Sequence, residues 1–101
     1  MVRHAAQLLG AQIRQARVER HWSIRELADR AGVSTGTLLK VEHGDPSVSL
    51  GIAFDVANLV GVPLFYEDPS RLADEVARSR ERLALLPQRV RERETDVDDA
   101  F

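Results

Sequence analysis

The chain has 101 residues and no cysteine, and its 14 Lys and Arg against 16 Asp and Glu give a formal net charge of −2. This length suits one compact domain, and the lack of cysteine excludes disulfides and thiolate metal sites. We find no apolar run of about 18 residues and no signal-peptide pattern, so neither a membrane span nor export is expected. The negative charge argues against nucleic-acid binding, but residues 1–66 hold seven Lys and Arg against six Asp and Glu, and acid collects in residues 67–101.

Three helices are predicted in the first half of the chain. Apolar residues at helical spacing predict the first helix, from Ala6 to about Arg20. Ser23 is a suitable N-cap for a second helix that ends at Gly32, and Ser34 for a third that ends at Gly44, because glycine accepts the left-handed conformation of a helix end. Two capped helices with a short turn between them are typical of a helix-turn-helix, whose second helix enters the major groove of DNA.

Two more helices and a tail are predicted in the second half. Ser49 can cap a fourth helix over residues 50–60, and the apolar residues 64–66 are expected to close the core. Asp68 followed by proline predicts the start of a fifth helix, which reaches about Leu86. Its apolar positions repeat with heptad spacing, so it is expected to pack against its own domain or a second subunit.

The composition changes again after residue 86. Residues 87–101 are rich in charge and poor in apolar side chains, which predicts a flexible tail. We therefore divide the chain into a DNA-binding domain of residues 1–66, an amphipathic C-terminal helix of residues 67–86 and a charged tail of residues 87–101.

The run from Leu9 to Tyr66 resembles the DNA-binding domain of the Cro and lambda-repressor class, also called the XRE family. The matching segments are IRQARVERHWSIRELA, AGVSTGTLLKVEHGDPSVSL and VANLVGVPLF. The resemblance implies an all-α fold, a five-helix lambda-repressor-like domain, here with an extended C-terminal helix and a flexible tail. It also implies a structural ion pair between Arg17 on the first helix and Glu42 near the end of the third.

The resemblance places the start of the third helix in the major groove. Base contacts are expected from four of its residues: Ser34, Thr35, Thr37 and Lys40. Lys40 is the strongest of these, because lysine donates to O6 and N7 of guanine. Gly36 presents no side chain, and Leu39 either packs on a thymine methyl or is a tolerated exposed leucine. Phosphate contacts are expected from a flanking set: Ser23, Arg25, Arg14, His43 and Ser47.

A domain of this size makes few base contacts, so a homodimer on a palindromic operator is expected. Its dimer surface is predicted at Phe65, Tyr66, Leu72 and Val76. The GDPSVSL turn, the helix that begins at Asp68-Pro69, the L-P-x-R-V-R run and the acidic, aromatic end are similar to short HipB-like antitoxins. This narrower resemblance implies repression of the chain's own operon and a HipA-type kinase toxin as partner, contacted by Val97 and Phe101 of the tail.

Other classes of function were weighed against this interpretation. An enzyme is not expected, because the histidines lack metal-ligand spacing and the chain has neither a glycine-rich phosphate loop nor a carboxylate pair in a predicted cleft. No catalytic, metal or cofactor site is therefore assigned. A stand-alone or phage-type repressor would lack only the toxin, and a helical protein-interaction module would keep the fold without binding DNA. The expected location is the cytoplasm, at the nucleoid.

Overall fold

The computed structural model describes residues 2–65 and 68–87, and all regular structure within those residues is helical. Five helices follow one another along them: α1 (Val2–Glu19), α2 (Ile24–Ala31), α3 (Thr35–His43), α4 (Leu50–Leu59) and α5 (Pro69–Ala84). The predicted all-α, five-helix fold is confirmed. The chain divides after residue 67 into two units, of which the first holds α1 to α4 and the second holds α5.

The core of the first unit takes side chains from all four of its helices. Ile13 of α1, Leu27 of α2, Leu38 of α3 and Val56 of α4 are fully buried. α3 packs against α1 and α2, and α4 packs against the same two helices. Because each large apolar side chain contributes about 1.5–3 kcal/mol on burial, this core fixes α2 and α3 relative to one another.

α1 begins at Val2, earlier than the predicted start at Ala6. No acidic residue lies in its first turn, so the usual sequence signal for a helix start is missing. Residues 2–5 are exposed, and the helix packs closely further along its length. A Cβ added at Gly10 would lie 2.6 Å from the carbonyl oxygen of Glu42, so the backbones of α1 and α3 are in close contact there.

The prediction that residues 64–66 close the core is wrong for Leu64 and Phe65, which are 38% and 69% exposed. Val60 is buried and Val62 packs against the core in their place. The chain can reach this position because Gly61 turns it with a φ of 76° directly after α4. The third residue of the predicted run, Tyr66, lies outside the described residues.

α5 begins as predicted. Asp68 is its N-cap, and the amide and hydroxyl of Ser70 donate to the Asp68 carboxylate at 3.0 and 2.9 Å. The helix ends at Ala84, two residues before the predicted end at Leu86. In the described part of the chain no helix is long and apolar enough to cross a bilayer.

Candidate nucleic-acid interface

The turn between α2 and α3 is built by caps at both of its ends. Gly32 ends α2 in the left-handed conformation with a φ of 69°. The chain then passes through Val33, which packs against the core. Ser34 starts α3 by accepting a hydrogen bond from the amide of Thr37 at 3.0 Å, and Gly44 ends that helix with a φ of 78°. The limits of both helices agree with the sequence prediction.

One face of α3 is open to solvent. Its residues Thr35, Gly36, Leu39 and Lys40 are all exposed, and we call them the reading face. A Cβ added at Gly36 would have only the Ser34 hydroxyl within 4 Å, at 3.8 Å. The rest of the first unit therefore leaves the start of this helix free to enter a groove.

Two of the predicted base contacts, Ser34 and Thr37, are bonded to each other. The Ser34 hydroxyl donates to the Thr37 hydroxyl at 3.0 Å while it accepts from the Thr37 amide at 3.0 Å. Thr37 is also half-buried. The other two predicted contacts, Thr35 and Lys40, have no side-chain hydrogen bond to other described residues. Of the four predicted base contacts, these two therefore have polar groups that remain available.

Lys40 lies in the field of a carboxylate at the end of α3. Asp45 accepts the hydroxyl and the amide of Ser47 at 2.7 and 2.8 Å. These hydrogen bonds, with smaller contributions from the charges of Lys40 and Arg3, hold the pKa of Asp45 below its ordinary value. The ionised Asp45 weakens the attraction of this edge for phosphate. The Ser47 hydroxyl donates its hydrogen to Asp45, so it could donate to a phosphate only after that hydrogen bond is broken.

The N-terminus of α2 carries a capping box. The amide of Glu26 donates to the Ser23 hydroxyl at 3.0 Å, and the amide of Ser23 donates to the Glu26 carboxylate at 2.8 Å. The bonds to Ser23 lower the pKa of Glu26, so a negative charge stays at this helix end. The amides of Ile24 and Arg25 precede the first intrahelical bond and remain as donors for a phosphate, and the exposed Arg25 side chain adds positive charge there.

The structure pairs Arg17 with Glu42 in two parallel hydrogen bonds. Arg17 Nε lies 2.7 Å from one carboxylate oxygen of Glu42 and a terminal guanidinium nitrogen lies 3.1 Å from the other. The side chains are only 11% and 4% exposed. Arg17 also donates to the carbonyl oxygen of Trp22 at 2.8 Å, in the turn before the α2 cap. This network connects α1, the last turn of α3 and the entry to α2.

Two aromatic contacts in the first unit were not predicted. The guanidinium carbon of Arg30 lies 4.2 Å from the ring centre of Trp22, in a cation–π contact. The rings of Phe54 and Phe65 meet edge to face, with centres 6.1 Å apart and planes at 87°. The number of residues between the two members of each pair does not indicate from the sequence that they are in contact. His21, with a φ of 58°, turns the chain between α1 and α2 just before Trp22.

The remaining predicted residues are placed as follows. Arg14 on α1 and His43 at the end of α3 are exposed, as are Leu72 and Val76 of α5. The tail residues Val97 and Phe101 lie outside the described residues, as Tyr66 does. Among residues 2–65 and 68–87, no group of three His, Asp or Glu side chains could hold a metal ion.

Comparison with known families agrees with this geometry. A family model described as helix-turn-helix matches residues 13–66, which is just over half of the chain. The chain therefore belongs to the helix-turn-helix family of the XRE type, a class of DNA-binding transcription regulators. The match begins at Ile13, so the first turns of α1 precede it. Neither a curated protein nor a solved structure gives a significant match.

Proposed function

We propose that this chain is a sequence-specific transcriptional repressor that binds a palindromic operator as a homodimer, with α3 in the major groove. The observation that carries the proposal is the reading face. Thr35 and Lys40 are exposed on it, free of hydrogen bonds to other described side chains, while the caps at Ser34 and Gly44 fix both ends of the helix. A fixed helix with free polar side chains is what base readout in a groove requires.

Bases and phosphates are contacted by different residues in this proposal. Lys40 donates to O6 and N7 of guanine, and the hydroxyl of Thr35 bonds a base or a phosphate. Arg25 and the first amides of α2 hold a phosphate of the flanking strand. The other predicted phosphate contacts lie at the edges of this surface: Ser23, Arg14, His43 and Ser47.

The exposed aromatic surface near the end of the first unit supports the homodimer. Phe65 remains 69% exposed even though its ring meets that of Phe54. In the second unit, considered by itself, Leu72 and Val76 of α5 are 38% and 49% exposed, so this helix also presents apolar side chains that a second copy could cover. A single small module buries only about 600–1,000 Å² on DNA, so pairing two copies doubles the contacts with an operator.

Sedimentation at several protein concentrations tests the dimer. We expect Phe65→Ser to shift the chain toward the monomer. Leu8→Ser is the matched control, because Leu8 is 61% exposed on α1 and lies outside the predicted interface. Equal dimer stability in the two variants would contradict the role of Phe65.

We further propose that the repressor is the antitoxin of a HipA/HipB-type pair and represses its own operon. Support comes from the sequence of the second half, which is similar to short HipB-like antitoxins, and from the DNA-binding family of the first half. The reading frame beside the gene tests this role. We expect it to encode a HipA-type kinase that binds the full chain and loses affinity when residues 88–101 are deleted. A neighbour of another kind would contradict the antitoxin role and favour a stand-alone repressor.

A gel shift with the chain's own upstream region tests DNA binding itself. We expect binding that weakens steeply with salt and that Lys40→Ala weakens by about 1–3 kcal/mol, the value of one base contact. Arg80→Ala is the control, because it removes one exposed positive charge from the second unit. Absence of any shift by the wild-type chain would favour the protein-interaction module instead.

A further inference from the structure

We infer that Gly36 and Leu39 form a thymine-reading site on α3, in which Leu39 packs on the C5-methyl group of thymine and Gly36 lets the helix come close enough for that contact. The inference rests on the proposed function, because it needs α3 in the major groove. It adds a determinant of sequence preference to the polar contacts of Thr35 and Lys40.

Leu39 is the apolar member of the reading face. It is 42% exposed, whereas its neighbours Leu38 and Val41 are 0% and 5% exposed and belong to the core. Gly36 lies three residues before Leu39, on the same side of the helix. Leu39 is not among the partly buried apolar residues that pack against the core.

The chemistry of the major groove selects one apolar group for such a side chain. The edges of guanine, cytosine and adenine present hydrogen-bond donors and acceptors, and thymine alone adds a methyl group. Leu39 cannot pair with a donor or an acceptor, so a polar base edge beside it would lose its water without a replacement. A thymine methyl placed against Leu39 removes apolar surface of both partners from water.

Packing within the protein does not account for the glycine at position 36. A Cβ there would meet only the Ser34 hydroxyl, at 3.8 Å, which is an ordinary contact. In the same unit, by contrast, a Cβ at Gly10 would collide with the Glu42 carbonyl oxygen at 2.6 Å. Gly36 is the second residue of α3, where glycine costs less than the about 0.5–1 kcal/mol of a mid-helix position, but no contact inside the fold requires it. A close approach of DNA to this side of α3 gives it a role.

Replacing thymine with deoxyuridine tests the contact, because it removes the methyl group and nothing else. The probe is a duplex enriched by the wild-type chain from a random-sequence pool, with its thymines replaced one at a time. We expect the replacement of one thymine in each half-site to lower the affinity about fourfold, because burial of one methyl group strengthens binding by about this factor. Leu39→Ala is expected to bind the thymine and uridine duplexes equally. Leu8→Ala, an exposed leucine of α1, keeps the wild-type difference.

A second variant tests the role of the glycine. We expect Gly36→Ala to leave the melting temperature unchanged or to raise it slightly, because alanine meets no clash there. The same variant is expected to lose about fivefold or more in affinity for the enriched duplex, because the added methyl group lies between the helix and the bases. Unchanged affinity would overturn the close approach at Gly36.

The outcomes separate this inference from the proposed function. If the wild-type chain enriches no sequence, the proposed function fails and the thymine site fails with it. If it enriches a duplex whose uridine series shows no loss, only the thymine site is overturned. The same conclusion follows if Leu39→Ala weakens self-association and leaves the thymine preference intact, since Leu39 would then contact a protein.

Discussion

Replacing Arg17 with alanine removes three hydrogen bonds at once, two to the carboxylate of Glu42 and one to the carbonyl oxygen of Trp22. The side chain of Glu42 is 4% exposed, so its charge would stay buried without a partner. Breaking a buried pair in this way costs about 3–5 kcal/mol, against about 1 kcal/mol or less for an exposed pair. Because each kcal/mol lowers the melting temperature of a small domain by about 4–8 °C, we expect a fall of at least ~12 °C.

Thermal unfolding followed by circular dichroism at one salt concentration measures this effect. Arg14→Ala is the matched control, because Arg14 is exposed on the same helix and its removal is expected to change stability by about 0.5 kcal/mol or less. The double change Arg17→Met with Glu42→Leu leaves no charge unpaired, so we expect it to recover most of the loss. A melting temperature of Arg17→Ala within a few degrees of the wild type would refute this reasoning.

Three further predictions concern stability. Gly10→Ala is expected to destabilise the chain in denaturant, because its Cβ would meet the Glu42 carbonyl oxygen at 2.6 Å. Gly51→Ala has open space in the first turn of α4, so it is expected to stabilise the chain, by less than the about 1 kcal/mol of a mid-helix glycine. Equal changes in the free energy of unfolding for Gly10→Ala and Gly51→Ala would contradict the close packing of α1 on α3. Because the pKa of Glu26 is lowered by the bonds to Ser23, its contribution to stability is present above the ordinary glutamate pKa and is lost as the pH falls toward the lowered value. Glu26→Gln should therefore make the melting temperature fall less as the pH is lowered below the ordinary glutamate pKa. The same pH dependence in Glu26→Gln and the wild type would contradict this role of Glu26. Ser34→Ala is expected to cost about 1 kcal/mol through loss of the α3 cap, which a thermal melt detects.

Sequence signals predicted the helix-turn-helix closely because its limits are set by local chemistry. A cap involves residues three or four positions apart, so Ser23 and Ser34 could be recognised as helix starts. The left-handed conformations of Gly32 and Gly44 likewise depend on the glycines themselves.

Features that depend on distant contacts were not predictable in this way. Nothing in the sequence near Val2 indicates the early start of α1, and the close contact of Gly10 with Glu42 joins residues that are far apart in the chain. The apolar run at residues 64–66 suggested core packing, but the turn at Gly61 brings Val62 to the core instead.

In the candidate site, too, the residue types could be predicted from the sequence, whereas the hydrogen bonds that they make could not. The residue types of the reading face can be read from the sequence, since they follow from the position of α3. Which side chains are free cannot, because the hydroxyls of Ser34 and Ser47 are used by Thr37 and Asp45 inside the protein. Because the Ser34 hydroxyl hydrogen is donated within the fold and Thr37 is half-buried, Thr35 and Lys40 are the base contacts that we propose first.

The most direct test of the central claim, that α3 reads DNA bases, compares the sequences enriched from a random duplex pool by the wild-type chain, Lys40→Ala and Arg25→Ala at the same salt. We expect the wild type to enrich an inverted repeat with half-sites about one helical turn apart. Lys40→Ala is expected to lose the preference for guanine at one position of each half-site. Arg25→Ala should keep the sequence and reduce the slope of log affinity against log salt by about one. If Lys40→Ala enriches the same sequence with the same affinity, or the wild type enriches none, the claim is contradicted.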